Sequence, residues 1–208
     1  MLGTIGEVHA FEHDETALAV ARGKAGALPA DRLQQGTLPH ALPEAAEPFD
    51  LVVAFDVIEH VEKDRESLVA LRRCLRPEGA LVMTVPAHPF LWSRHDETHH
   101  HFRRYTRAML RERLEAAGYE VEHLTHYNAL LFPLVVAVRA AKRLLRLRDA
   151  DDAMPSPPVN AVLRRVFAAE RFWVGRVRVP FGVSLLAVAR PRAETASVRA
   201  PSAALRAA

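Results

Sequence analysis

The chain has 208 residues, of which 50% are hydrophobic, and a formal net charge of +3. A chain of this length suits one domain. The net charge is small and the charged residues are scattered, so the sequence does not predict a nucleic-acid-binding surface. The single cysteine excludes an intramolecular disulfide and a cysteine-based metal site. The first residues lack the features of a signal peptide, and no apolar run reaches the roughly 18 residues of a membrane-spanning helix. We therefore expect a cytoplasmic protein.

The first part of the chain predicts a short strand that ends in an acid. Val8–Glu12 forms this strand, and Asp14-Glu15-Thr16 starts a helix. At the end of a strand in a nucleotide-binding sheet, an acid can accept hydrogen bonds from both ribose hydroxyls. Glu12 is therefore a candidate binding residue, and a solvated loop carboxylate is the equal alternative. Residues 31–48 then predict another short strand and a loop.

Residues 47–88 organise the chain and predict a strand, an acidic loop, a helix, a turn and a second strand. Leu51–Phe55 is a continuous apolar run, which suits a strand buried on both faces of a parallel sheet. Asp64 is predicted to cap the helix, Arg76–Gly79 to end it, and Ala80–Val85 to form the next strand.

Candidate ligand-binding residues follow these two strands. In open α/β sheets the ligand crevice lies beyond the carboxyl ends of the strands. Asp56, His60 and residues 86–88 fall at that edge. Asp56 could instead cap the following segment, and His60 could instead order the loop by hydrogen bonding.

Residues 86–105 are unusually rich in histidine, with His88, His95, His99, His100 and His101. Histidine and carboxylate side chains are good metal ligands. However, three consecutive histidines cannot all face one ion from a regular element, and the HExxH helix pattern is absent. The sequence therefore argues against a metal site in this segment.

The second half predicts a capped helix, a strand and then an apolar stretch. Thr106 is predicted to cap a helix that Gly118 ends, and Tyr119–Thr125 to form a strand. Ala129–Val138 is apolar, too short to span a bilayer, and followed by basic residues up to Arg148. Residues 129–148 could pack over the crevice as a helix or make a peripheral contact with an anionic membrane.

The last part of the chain predicts a linker, a helix, a strand and a tail. The linker covers residues 149–158, the amphipathic helix 159–177 and the buried strand 184–189. Residues 191–208 consist mostly of Ala, Arg and Ser, and this composition predicts disorder.

The segments PFDLVVAFDVIEHV and LRRCLRPEGALVMTVPAH closely resemble class I S-adenosylmethionine-dependent methyltransferases of the type 11/12 kind. The resemblance runs from about Gly6 to Arg190. It implies one Rossmann-like α/β domain over residues 1–190, doubly wound and mostly parallel, with helices on both faces and the last strand antiparallel. The strands are then expected near 7–12, 32–36, 50–55, 80–86, 119–126 and 183–190. The implied function is methyl transfer from S-adenosylmethionine to a small or lipid-like acceptor.

The resemblance also implies which residues bind the cofactor. Glu12 matches the position that binds the ribose, and the segment beside the adenine is Gly36, Thr37 and Leu38. Many relatives carry Asp at the Thr37 position, but a threonine hydroxyl can still accept a hydrogen bond. The positions near the methionine part of the cofactor are Asp56, Val57 and His60.

One motif of the resembled family is missing from the sequence. The family begins with a strand and a Gly-x-Gly-x-Gly turn, and this chain carries only Gly3 and Gly6 where the first helix should end. We therefore expect that the chain lacks the central first strand, because its start was misassigned or its gene is truncated. We also expect the chain as it stands to bind the cofactor weakly. The alternative function is a non-catalytic partner or regulatory module.

The histidine-rich segment also matches a methyltransferase subgroup, in which Trp-Ser-x-His-Asp is followed by His-x-x-Arg-Tyr. The resemblance implies that residues 87–118 form a lid or acceptor segment and residues 127–178 a helical insertion. The candidate catalytic residues are His95, Asp96, His101 and Tyr105. A histidine or carboxylate here could take a proton from the acceptor, or the polar residues could only fix the shape of the lid.

Overall fold

The computed structural model describes residues 6–24, 29–42, 47–145 and 156–193. These residues form six strands and six α-helices with short 3-10 turns between them. In chain order the elements are β1 (Ala10–Glu12), α1 (Glu15–Lys24), β2 (Leu33–Gln35), β3 (Phe49–Phe55), α2 (Asp64–Arg73), β4 (Leu75–Pro86), α3 (Arg94–Thr98), α4 (Arg107–Ala116), β5 (Tyr119–Tyr127), α5 (Phe132–Leu144), α6 (Pro157–Ala169) and β6 (Ser184–Pro191).

The strands form two sheets. β1 and β2 pair in parallel, and the other four strands have the order β3-β4-β6-β5. β3 and β4 are parallel, while β6 is antiparallel to both β4 and β5. This arrangement confirms the predicted α/β fold with an antiparallel last strand, and all six strands lie where they were expected.

β3 is less buried than predicted. Val52 and Ala54 face the core, whereas the alternating side chains of Leu51, Val53 and Phe55 are 44%, 39% and 55% exposed. The prediction that this strand is buried on both faces is therefore wrong, because the helices in the described ranges leave one face uncovered. Among those ranges, β3 pairs with β4 alone and its other edge is open.

The core lies between the four-stranded sheet and helices α2 and α4. Leu68 on α2 and Leu110 and Leu114 on α4 are fully buried against Leu81 and Met83 of β4. Burial of each such side chain contributes about 1.5–3 kcal/mol to folding. This packing fixes α2 and α4 on the sheet and leaves the carboxyl ends of β3 and β4 as the rim of the crevice.

The helix boundaries follow local hydrogen bonding. Thr106 caps α4 as predicted, because its hydroxyl oxygen accepts a hydrogen bond of 3.1 Å from the backbone N–H of Met109. Asp64, in contrast, is the first residue of α2 and Lys63 takes the N-cap position. α6 ends at Ala169, well before the predicted residue 177, and a 3-10 turn follows it.

Residues 76–79 are an insertion within β4 and do not form a separate turn. Phe49 pairs with Leu75 and Leu51 pairs with Ala80, so the extra residues bulge opposite Asp50. Arg76 binds the carboxylate of Asp50 at 2.7 Å and fixes this bulge.

No helix in the described part of the chain is both long and apolar enough to cross a membrane. Most of the predicted tail and most of the predicted linker fall outside the described residues, and Pro191, predicted as the start of the tail, is the last residue of β6.

Candidate functional site

The crevice begins at two strained backbone positions. Asp56 directly follows β3 with a φ of 50°, and His88 follows β4 by two residues with a φ of 61°. Non-glycine residues in this left-handed region cost about 1–3 kcal/mol and are concentrated at functional sites. The backbone N–H of Asp56 donates to the carbonyl and hydroxyl oxygens of Thr84, both at 3.1 Å. The two strained residues therefore mark the carboxyl edge of β3 and β4, where the sequence predicted the site.

Glu59 lies in the 3-10 turn Ile58–His60, directly behind Asp56. Its side chain is buried, and its Oε2 atom has no hydrogen-bond partner among the described residues. Burial raises the pKa of Glu59 to about 8, and the negative charge of Asp56 adds to this shift. The carboxyl group can therefore hold a proton at neutral pH.

Three histidines meet above this turn. The rings of His60 and His101 are 4.5 Å apart and nearly perpendicular, and the ring of His95 lies 6.1 Å from that of His101. Burial, followed by the neighbouring His101, lowers the pKa of His60. The structure thus brings together two of the predicted catalytic residues and one predicted cofactor residue.

Asp96 is the buried centre of the lid segment. The side chain is fully buried, and its carboxylate accepts hydrogen bonds from the backbone N–H of Ser93 at 2.9 Å and from Nε of Arg104 at 2.7 Å. Nδ1 of His101 lies 2.9 Å from Oδ1 of Asp96. Burial alone would raise the pKa of Asp96, but Arg104 outweighs it and holds the pKa below its usual value. Asp96 therefore orients His101, and its own side chain is not exposed to the crevice.

Tyr105 connects the end of the lid to α2. Its side chain is buried, and its hydroxyl donates to Oδ2 of Asp64 at 3.0 Å. Arg103 and Arg113 also contact this carboxylate, at 3.0 and 3.4 Å. Burial and the charge of Asp64 raise the pKa of Tyr105. The hydroxyl of this predicted catalytic residue is thus engaged away from the crevice.

Aromatic side chains cluster beyond the end of β4. The ring of His88 stacks on that of His126 at 5.0 Å and lies 5.3 Å from that of Phe132, which is 5.8 Å from Phe181. Burial, and then the charge of Asp56, raises the pKa of Tyr127 at the end of β5. Sequence reasoning placed His88 at this edge but missed Glu59 and Tyr127 as site residues, although both lie near the carboxyl ends of predicted strands.

The predicted nucleoside-binding residues lie together at the end of β1. Oε1 of Glu12 accepts hydrogen bonds from the backbone N–H groups of His13 and Asp14, at 2.8 and 3.1 Å, and its side chain is 36% exposed. The backbone N–H of Gly36 donates to the Glu12 carbonyl oxygen at 3.0 Å. An exposed carboxylate fixed beside a turn in this way fits a ribose diol.

The other predicted cofactor residues have partly buried or constrained positions. Thr37 exchanges two backbone hydrogen bonds of 2.8 Å with Ala41, which closes the turn after Gly36. Leu38 and Val57 are half-buried against the core. Nothing in this geometry tests cofactor binding, so the roles of these residues toward S-adenosylmethionine stay predictions.

Comparison with known proteins agrees with this fold. A profile described as a methyltransferase domain matches residues 8–124, more than half of the chain. A search of curated proteins found no match to this sequence. Among solved structures, a Bacillus halodurans protein assigned as a methyltransferase has a TM-score of 0.57 and 20% identity, covering 90% of this chain and 84% of its own.

Two further structures share the fold. The S-adenosylmethionine-dependent methyltransferase from Mesorhizobium loti has a TM-score of 0.55 and 15% identity, covering 90% of this chain and 82% of its own. The CcbJ methyltransferase from Streptomyces caelestis has a TM-score of 0.52 and 15% identity, covering 91% and 81% respectively. The matched profile, on a chain with this architecture, leads to one conclusion: this chain belongs to the family of S-adenosylmethionine-dependent methyltransferases.

Proposed function

We propose that this methyltransferase acts on an acceptor with a nucleophilic head and an apolar body, such as a prenyl or acyl compound. The proposal rests on the two kinds of surface at the crevice. Asp56, His60 and His101 form a polar floor with the buried Glu59 beneath it, and aromatic and aliphatic side chains lie beside it. S-adenosylmethionine supplies an electrophilic methyl group on a sulfonium centre, and the chain's own residues bind and orient the acceptor.

The observation that carries this proposal is the placement of α5 over the lid. Arg139 donates a hydrogen bond to the carbonyl oxygen of Leu91 and lies 3.9 Å from Asp96. Residues four apart share one face of a helix, so Leu131 and Val135 face the lid together with Arg139. Both apolar side chains are half-buried. They therefore supply an apolar wall next to Phe132, whose ring lies beside His88.

Among the predicted catalytic residues, His101 and Asp96 have the geometry that suits a binding site for the nucleophilic head of the acceptor. The imidazole of His101 is only 9% exposed, and Asp96 fixes its orientation. We assign His101 to contact with the acceptor head, Asp96 to the positioning of His101, and His95 to the edge of the same site.

The acceptor class can be tested with variants of the apolar wall. Leu131→Ser and Val135→Ser are assayed with prenyl and acyl alcohols that share a head group but carry long or short tails. Each lost apolar contact is worth about 1.5–3 kcal/mol, so kcat/KM should fall roughly 10- to 100-fold for long tails and little for short ones. The matched control is Leu134→Ser, because Leu134 is on the same helix but 56% exposed. Equal losses with both tail lengths would show that the wall serves the fold and would refute the acceptor class.

A peripheral membrane contact is a second candidate function for α5. Leu134, Val138 and Leu144 are 56%, 43% and 83% exposed, and Lys142 and Arg143 lie on the same helix. Apolar side chains flanked by cations are typical of helices that lie on anionic lipid surfaces. Sedimentation with anionic and neutral vesicles tests this contact: we expect binding to the anionic ones, weakened by Leu144→Ser. No binding to either kind would refute it.

A further inference from the structure

A carboxylate and two imidazoles converge on one point of the crevice floor. Glu59 and His60 are neighbours in the 3-10 turn after β3, and His101 reaches them from the lid. One ligand atom from each residue lies within 4.8 Å of the other two. A zinc ion about 2.0–2.2 Å from each ligand would hold the donors roughly 3.4 Å apart. Side-chain movements of about 1 Å would therefore bring all three donors into coordination distance.

Glu59 gives an independent indication of a ligand. The side chain is 1% exposed, and its Oε2 atom has no hydrogen-bond partner among the described residues. Buried polar atoms in folded proteins nearly always have a partner, because an unpaired one costs free energy. A cation between Glu59 and the two histidines would displace any proton on the Glu59 carboxyl group and supply the missing partner.

His101 is already oriented as a metal ligand is. Its Nδ1 atom lies 2.9 Å from Oδ1 of Asp96, so its Nε2 atom is the nitrogen left for another partner. Histidine ligands of metals commonly donate their second ring N–H to a carboxylate, which fixes the ring and makes it a better ligand. Asp96 is itself held by Arg104, so this orientation is fixed before any ion arrives.

We propose that Glu59, His60 and His101 bind one divalent transition-metal ion. Two imidazoles and one carboxylate favour zinc, cobalt or iron(II) over magnesium or calcium, which prefer oxygen ligands alone. Three protein ligands leave at least one coordination position for water or for an oxygen of the acceptor head. That last role rests on the proposed function, whereas binding of the ion does not.

Metal binding by the full chain, purified without a histidine tag, tests the site directly. Zn²⁺ is titrated by calorimetry against a competing chelator, and Co²⁺ is followed by its visible absorption, which reports coordination by this donor set. We expect one ion per chain. Glu59→Gln, His60→Asn and His101→Asn should each weaken binding at least about 10-fold, because each removes one of three ligands.

The matched control is the double variant His99→Asn/His100→Asn, which removes two lid histidines outside the proposed set. We expect it to bind Zn²⁺ within about twofold of the unaltered chain. His60 is exposed, so His60→Asn tests the site without disturbing the core. The proposal is refuted if no ion binds, or if the double variant abolishes binding while the three ligand variants keep it. Calorimetry with S-adenosylmethionine, done separately, tests the cofactor site, so a failure of the proposed function is distinguished from a failure of the metal site.

Discussion

The buried pair of Arg104 and Asp96 should carry a large share of the stability of the lid. Arg104 is 4% exposed and Asp96 is fully buried. Nε of Arg104 donates a hydrogen bond to Oδ1 of Asp96 at 2.7 Å, and Nη1 of Arg104 donates one to the carbonyl oxygen of Ala87 at 3.1 Å. Arg104→Met keeps the bulk of the side chain but leaves Asp96 with a buried charge. Breaking a buried pair from one side costs about 3–5 kcal/mol. Arg139 lies 3.9 Å from Asp96 and offsets part of this cost. We therefore expect the free energy of unfolding to fall by about 3 kcal/mol.

Urea unfolding followed by circular dichroism measures this loss. A loss of about 3 kcal/mol is a large fraction of the 5–15 kcal/mol typical of a domain, and it corresponds to a fall in Tm of about 6–12 °C for a protein of this size. The control is Arg111→Met, which breaks the exposed pair of Arg111 with Glu115 at 3.3 Å. This pair should contribute less than about 0.5 kcal/mol. If both variants lose the same small amount, the buried pair does not stabilise the lid and our account of Asp96 is wrong.

Two further predictions concern glycine substitutions and the pH dependence of stability. Gly182→Ala should destabilise the protein, since the added Cβ would overlap the carbonyl oxygen of Tyr127. Gly23 in α1 has open space around it, so Gly23→Ala should instead raise the free energy of unfolding by about 0.5–1 kcal/mol. Thermal melts that rank the two variants the other way would contradict this. Burial chiefly lowers the pKa of His126, so the unfolded chain binds its proton more readily, and stability should fall as the pH drops below about 6.5. In His126→Gln, urea midpoints between pH 8 and pH 5.5 should fall less than in the unaltered chain, and an identical pH profile would contradict the assignment. The charged or titratable groups that face His126 are His88 and Arg107.

The sheet was largely predictable because its strands are short apolar runs bounded by polar or turn residues. Leu51–Phe55 and Ala80–Val85 have this pattern, and both form strands at the expected positions. Periodicity could not show that β6 runs antiparallel; that expectation came from the family resemblance. The open face of β3 was not predictable either, because an apolar run carries no information about which helices cover it.

The site was predictable only in part. The strand ends placed Asp56 and His60 at the crevice, and the lid pattern identified Asp96 and His101. The sequence did not show that Glu59 is buried without a partner, since its burial depends on the lid that folds over it. The pattern that spoke against a metal site is that of neighbouring histidines in one segment, whereas the cluster in the structure combines residues of two segments.

The position of β6 has a consequence for how the protein folds. Leu81 of β4 pairs with Ala189 of β6, roughly a hundred residues further along the chain, and β6 separates β4 from β5. β5 therefore has no strand to pair with until β6 has left the ribosome. Contacts between such distant residues slow folding, and unpaired strand edges are prone to aggregate while they wait. The newly made chain should thus expose the edges of β4 and β5 until β6 enters the middle of the sheet.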